Sequence, residues 1–354
     1  MIIKIGKNKI SSRGKTYFIA DIAANHDGSL LRAKKLIRLC AKSGANAAKF
    51  QHFKAETIVL DEGFKKIGKI THQKKWKKSV YKVYEEASIN IKWTKELRKE
   101  CIKNNIDFLT APYDLDYVDR VERYIPAYKI GSGDITWKEI IIKIAKKNKP
   151  VLLACGASTL KETLDAVNII KRYNKKIILM QCNTNYTNSP DNLNFINLNA
   201  LIQFKKIFKD KVILGLSDHT SGHSSVLGGI TLGARVIEKH FTDDNDREGP
   251  DHKFSLNPTN WNKMVVASRE LEKCMGNGFK KLENNEKKSV IVQRRGVWIK
   301  NEIKKGKKLK MNDLNFLRPC PKNSISPFEI KKYIGKKVRK NLTKNSLLTK
   351  KCIT

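Results

Sequence analysis

The sequence predicts an α/β fold, a (β/α)8 TIM barrel followed by a small β-rich domain, on three observations. Eight short apolar runs alternate with amphipathic segments from Tyr17 to about residue 275. The runs are apolar through their bodies, as expected of parallel strands covered on both faces. No GxGxxG turn follows the first run, which argues against an open dinucleotide-binding sheet and for a closed barrel.

The elements follow in order. YFIADIAA (17–24) is the first strand, with a helix from about Ser29 to Ser43. NAAKFQ (46–51) is the second, trailed by a Lys-rich excursion containing Trp76 and a helix near 91–104. DFLTA (107–111) and AYKIGSG (127–133) are the third and fourth, each with its helix. VLLAC (151–155) and IILMQCN (177–183) are the fifth and sixth, the latter leading to a looser helix near 197–208. The seventh and eighth lie in VILGLSDHTSGHSSVLGGITLGARVIEKHFTDDNDR (212–247), and a helix near 258–275 closes the set. Past Gly276 come short strands and turns without long helices. The expected organisation is a barrel over 1–280, a polar linker over 281–290 and a β-rich domain over 291–354.

Composition narrows the class. Seven cysteines are scattered with no CxxC pair, so neither a disulfide framework nor a zinc ribbon is indicated. No apolar run reaches the roughly 18 residues of a membrane span, and MIIKIGKNKI lacks the apolar core of a signal peptide. No membrane partner is expected, and the cytoplasm is the default location. The formal charge of +38 comes from lysine spread over nearly every helix. A nucleic-acid binder concentrates such charge on one face or tail, so no nucleic acid is expected. A diffuse positive field attracts small anions.

In a barrel of this class the chemistry gathers at the C-terminal strand ends. Those ends hold Asp21 and Asn25, Lys49 and Gln51, Thr110, Lys129 with Ser132 and Asp134, Asn183 and Tyr186, then Ser217, Asp218, His219, Glu238 and His240. Only Ala154-Cys155-Gly156 is poor in polar groups. Buried polar groups cost free energy unless paired, so their convergence points to function. Lys49 and Lys129 sit on strands expected to be buried, where lysine needs an anion. With Ser132 and the Gly131–Gly133 backbone they suit a phosphate or carboxylate. His219 and His240 suit a divalent metal or, on the bland reading, a hydrogen-bonded pair. Asp21 and Asp134 are candidate acid/base groups. An anion pocket beside an electrophile-activating metal points to carbon–carbon bond formation from a phosphorylated enol.

The segments IADIAANHDGSLLRAKKLI, AAKFQHFKAE, AYKIGSGDIT, LGLSDHT and VIEKHFTDDNDREGPDHKFSLNP resemble the sialic acid synthase family, and the tail resembles that family's antifreeze-like (SAF) domain. The resemblance runs from about Tyr17 to the C-terminus. It implies condensation of phosphoenolpyruvate with an N-acetylated hexosamine to a nine-carbon 2-keto sugar acid and phosphate. It also implies His219 and His240 as ligands of manganese (Mn2+) or magnesium (Mg2+). Lys49, Lys129, Ser132 and Ser217 would hold phosphoenolpyruvate, and Gln51, Asp134, Tyr186 and Asp251 the sugar. Asp21 falls at the proposed catalytic carboxylate, Thr110 and Asn183 among the substrate contacts. Arg318, in LRPCP, matches an arginine that reaches into the other barrel of a domain-swapped homodimer.

The chain departs from that pattern in places. Asp21 and Asp134 stand where glutamate is usual, and Ala111, Ala154 and Thr184 replace polar residues or asparagine. Arg294 falls where some relatives carry an aromatic. These changes alter the sugar side, so a diacetamido-trideoxyhexose is an alternative acceptor to N-acetylmannosamine. A Schiff-base aldolase using Lys49, Lys129 or Lys239, a Lys-rich nucleic-acid binder with a degenerate barrel, and an inactive relative are the rival readings. Of the remaining histidines, His26 and His223 read as turn or cap residues and His252 as ambiguous, while His52 and His72 carry no signal. Cys155 and Cys182 read as small packing residues.

Overall fold

The computed structural model describes residues 1–354, which divide into two compact units, Met1–Gly276 and Asn277–Thr354. In the first, eight parallel strands close a barrel: β3 (Tyr17–Asp21), β4 (Ala47–His52), β5 (Asp107–Pro112), β6 (Tyr128–Ile130), β7 (Val151–Ala154), β8 (Ile177–Cys182), β9 (Ile213–Asp218) and β10 (Val236–His240). The ring closes where β10 pairs with β3 in the register Val236↔Tyr17 to His240↔Asp21. The barrel and its eight strands are as the apolar runs predict.

Strand side chains alternate faces, and the inward set is stratified. The lower layer is apolar, with Tyr17, Ile19, Ala47, Leu109, Leu152, Ile178, Met180, Ile213 and Val236 in one buried cluster. Further along β3, β4, β9 and β10 the inward positions become Asp21, Lys49, Ser217 and Glu238, all buried. The barrel is thus filled below and polar above.

Below the apolar layer lies a feature not foreseen. The N-terminus forms an antiparallel hairpin, β1 (Ile2–Ile5) with β2 (Asn8–Ser11). Its Ile3, Ile5 and Ile10 join the lower cluster and plug the barrel's base. Asp107 ties the plug down by accepting from Asn8 Nδ2 at 2.9 Å and from Tyr17 Oη at 2.7 Å.

Outside, helices cover the strands through apolar faces at helical spacing. Leu30–Lys42 buries Ala33, Leu36, Ile37 and Cys40, and Ser29 caps it by accepting from the Arg32 amide. Leu160–Tyr173 begins with a reciprocal Thr159/Glu162 cap. The excursion after β4 folds into short helices with their own small core, Ala55, Val59 and Val80, packed against Trp76 and Tyr84.

The second unit is built on β11 (Gly296–Ile299) paired antiparallel with β12 (Leu314–Leu317). A separate core that includes Val297, Ile299, Leu309, Ile325 and Leu348 supports it. The stretch 281–290, expected as a linker, is partly helical. Glu283 and Glu286 cap each other at the turn that leads into the helix Lys287–Gln293. No helix in either unit is long and apolar enough to cross a membrane.

Candidate active site at the barrel mouth

The upper layer opens into a cavity of ≈ 400 Å³, within the size range of small-molecule sites. Asp21, Lys49, Gln51, Lys129, Ser132, Asp134, Tyr186, Ser217, His219, His240 and Asp251 all line it. Strand parity brings most of them there, since they occupy inward positions near the ends of β3, β4, β6, β9 and β10.

The floor is a chain of opposite charges. Lys49 Nζ donates to Asp21 Oδ2 at 2.6 Å and lies 3.8 Å from Glu238 Oε1. Lys129 Nζ donates to the same Glu238 oxygen at 3.0 Å, and Ser217 Oγ donates to it at 3.2 Å. All four charged groups are buried. Burial pushes the Glu238 carboxyl up, but Lys129 and Lys49 outweigh it and hold it at about 2. Burial opposes charge on Lys49, yet Asp21 and Glu238 raise it above the ordinary lysine value. For Asp21 burial wins over the pull of Lys49, and its carboxyl is raised. Two cations and two anions thus balance in a buried cluster, and an incoming anion can compete for the lysines.

Beside them stand two neutral imidazoles. Burial pushes His219 down to about 4, aided by His240. Burial, aided by the charge on Lys49, holds His240 at about 3. His219 Nδ1 donates to the Asn183 carbonyl at 2.8 Å, which leaves Nε2 as the lone-pair nitrogen. The ring centroids are 5.4 Å apart. The Tyr186 ring packs tilted against His219, with centroids 4.4 Å apart, and Phe254 lies 4.8 Å from His240.

Neutral, oriented imidazoles in a buried site are the form in which histidine binds metals. His240 Nδ1 and Glu238 Oε2 are buried without a hydrogen-bond partner, so the donor set fits a cation. The nearest carboxylates are Asp21, 3.5 Å from His240 Nε2, and Asp251, 3.9 Å from its Nδ1. No three such side chains converge into a ready-made ligand group.

The outer cavity is carboxylate and aromatic. Burial raises both Asp134 and Asp251 to about 6. Phe53, His72, Trp76, Tyr84 and Tyr113 complete the wall. Tyr113 Oη presses on the Gly131 backbone so closely that a Cβ at Gly131 would meet it at 2.7 Å. A side chain there would collide with the phenol, which accounts for the glycine. Ser132 Oγ and Thr184 Oγ1 are hydrogen-bonded at 2.7 Å.

Two expected site residues point elsewhere. Thr110 points outward from β5, because Leu109 and Ala111 occupy the inward positions. Its hydroxyl bonds His52 at 2.7 Å and donates to the Phe50 carbonyl at 3.0 Å. The Asn183 side chain donates to the Phe195 carbonyl, and only its backbone serves the site, through His219. Arg318 belongs to the second unit.

Two further strand-end groups also face away. Asp218 points outward to Lys239, and Asn25 donates to the Phe241 carbonyl and Ser255 Oγ. His26 Nδ1 accepts from the Gly28 amide, as a turn residue does. His223 occupies the N-cap of Ser224–Thr231 without a side-chain capping bond. His252 is locked between Thr242 and Asp27.

His72, Tyr84, Tyr113 and Cys182 line the cavity without having been marked as site residues. His72 packs against Trp76 and Tyr186 at 5.3 Å each. It reaches the mouth from a turn with no strand to fix its direction, so sequence spacing carried no signal for it. Tyr113 follows the third strand directly, and extending inward parity by one turn would have found it.

A closed eight-stranded barrel with buried cations and paired neutral histidines at its C-terminal face is an enzyme architecture. The chain belongs to the NeuB family: that family matches residues 36–280, and the SAF domain family matches residues 294–354. It is 38% identical to the N,N'-diacetyllegionaminic acid synthase of Campylobacter jejuni, over 94% of this chain and 99% of that one. The pseudaminic acid synthase of the same organism is 30% identical over 93% of this chain and 94% of its own. Among solved structures, the N-acetylneuraminic acid (sialic acid) synthetase of Leptospira borgpetersenii superposes with a TM-score of 0.71 and 26% identity. That match covers 82% of this chain and 95% of the other.

Proposed function

We propose that the chain is a nonulosonic acid synthase, a transferase that condenses phosphoenolpyruvate with an N-acetylated amino sugar. The observation that carries this reading is the buried Asp21–Lys49–Glu238–Lys129 chain beside two neutral histidines. C3 of phosphoenolpyruvate forms the new bond to the aldehyde carbon of the open-chain acceptor, whose oxygen takes a proton. Water adds at C2, and loss of inorganic phosphate leaves a 2-keto acid.

Each residue has a role in this scheme. Lys49 and Lys129, with Ser132 and Ser217, hold the carboxylate and phosphate of phosphoenolpyruvate by charge-assisted hydrogen bonds. Asp21, raised by burial and 2.6 Å from Lys49 Nζ, holds and moves the proton of the incoming water. Asp134, Asp251, Gln51 and Tyr186 orient the acceptor, with the aromatic wall excluding solvent. A divalent ion, Mn2+ or Mg2+, held by His219 and His240 would supply Lewis-acid polarisation of the acceptor carbonyl.

N-acetylmannosamine and a diacetamido-trideoxyhexose both remain within the reading; the 38% identity to a diacetyllegionaminic acid synthase supports the second. The SAF match supports a domain-swapped homodimer in which Arg318 of the partner subunit completes the sugar site.

The test against a Schiff-base aldolase is borohydride trapping beside chelation. The synthase reading expects EDTA to abolish turnover and borohydride to trap no substrate–lysine adduct. A borohydride-trapped adduct on Lys49, Lys129 or Lys239 with no effect of EDTA would overturn it.

A further inference from the structure

We propose that Lys239 and Asp218 are positioning residues that set the spacing of His219 and His240, an inference that takes those histidines as the ion-holding pair of the proposed reaction. The two lie directly opposite each other where β10 pairs with β9. They face outward, behind the cavity, while their neighbours Ser217, His219, Glu238 and His240 face in. Both side chains are essentially without solvent exposure.

The ladder between the two strands ends at Lys239↔Asp218. His240 continues in register with Asp21 on β3, but His219 lies past the end of β9 with no backbone rung to β10. The Lys239 ammonium takes that place. Its Nζ donates to Asp218 Oδ2 at 2.6 Å and to the Thr220 carbonyl at 2.6 Å. It therefore grips both sides of His219. Asp218 in turn accepts from the Thr220 amide at 3.0 Å, from Thr220 Oγ1 at 2.9 Å and from Ser225 Oγ at 2.5 Å. The turn that carries His219 is thereby clamped to the strand that carries His240, from the side the substrate never touches.

A buried lysine and carboxylate are a costly way to pin a strand end, and apolar side chains would fill the same space. What apolar side chains lack is direction. The ammonium fixes the Thr220 carbonyl and hence the path of the chain through His219, whose ring is set at its other end by the Asn183 carbonyl. Groups that orient metal-binding histidines typically change affinity by about 10- to 100-fold when removed.

The decisive variant is the double replacement Asp218→Asn with Lys239→Met, which keeps side-chain size and leaves no unpaired buried charge. The single Lys239→Met serves as the control that strands Asp218. The first readout needs no metal: the His219 Nδ1 proton, identified by its disappearance in His219→Ala, is followed by nitrogen-resolved NMR in the full-length protein. In the double variant its hydrogen-bonded signal is expected to shift and to exchange faster with solvent, at an unchanged circular dichroism spectrum. The second readout is Mn2+ affinity, expected to fall about 10- to 100-fold. A double variant with the parent His219 signal overturns the proposal. If the parent itself binds Mn2+ no better than His219→Ala does, the two-histidine metal reading fails, and the NMR result alone still decides whether the clamp positions His219.

Discussion

Lys49 Nζ and Asp21 Oδ2 lie 2.6 Å apart at the floor of the cavity, on neighbouring strands in direct register. Asp21 Oδ2 is also 3.5 Å from His240 Nε2, so one carboxylate faces both the Lys49 ammonium and the His240 imidazole. Replacing Asp21→Asn keeps the shape and removes the proton acceptor. The expected result is a kcat lower by at least about 100-fold, the usual scale for a positioned acid/base group, with Mn2+ binding retained. Parallel phosphate-release kinetics and metal titration check both halves, and a parent kcat would remove Asp21 from the mechanism.

Lys129 is the only cation within hydrogen-bond reach of Glu238, since Lys49 stands 3.8 Å away. In Lys129→Met the KM for phosphoenolpyruvate is expected to rise by about 30-fold or more, matching the ~2–5 kcal/mol lost when one member of a buried charge pair is truncated. Initial rates against phosphoenolpyruvate at saturating acceptor measure it. An unchanged KM would move the anion site away from Lys129.

Thr110 gives the opposite pattern. Its hydroxyl serves His52 behind β5, where burial holds the imidazole at about 3. Thr110→Val removes that partner and is expected to cost about 1–3 kcal/mol of stability, with both KM values unchanged. Denaturant unfolding and steady-state kinetics separate the two. A specific rise in one KM at parent stability would return Thr110 to the substrate site.

The sign of the pH dependence follows from Asp134 and Asp251. Both are raised by burial to about 6, so they are carboxylates at pH 7 and gain protons below pH 6. A protonated carboxyl is a weaker acceptor for sugar hydroxyls. The acceptor KM is therefore expected to climb as pH falls through 6, while His219 and His240, at about 4 and about 3, stay neutral. In Asp134→Asn the climb is expected to be shallower and the KM at pH 7 higher. A profile flat down to pH 5 in the parent would contradict this.

Much of this site was legible because barrel strands obey a period of two. Glu238 and His240 share the inward face, and Lys239 between them faces out. Thr110 is named from its place at a strand end alone, without that rule, although Leu109, two positions from Ala111, marks the inward face. Asp218 was counted at the mouth for the same reason and instead pairs with Lys239.

Irregular segments carry no such rule. His72 and Trp76 reach the cavity from short turns of the excursion after β4, where no period fixes a side chain's direction. The N-terminal hairpin carries little sequence signal because its four-residue strands beside the turn Gly6-Lys7 mix lysine and asparagine with isoleucine and form no continuous apolar run. Its three isoleucines become buried only against the barrel base.

The measurement that tests the central claim most directly is release of inorganic phosphate from phosphoenolpyruvate by the full-length protein with Mn2+. It is run with N-acetylmannosamine, its 6-phosphate and diacetamido-trideoxyhexoses in turn, and repeated with EDTA. The account predicts release that needs one of these acceptors, stops with EDTA and yields a nine-carbon 2-keto acid in equal amount. No phosphate release with any of them, from folded protein that binds Mn2+ through His219 and His240, would contradict it.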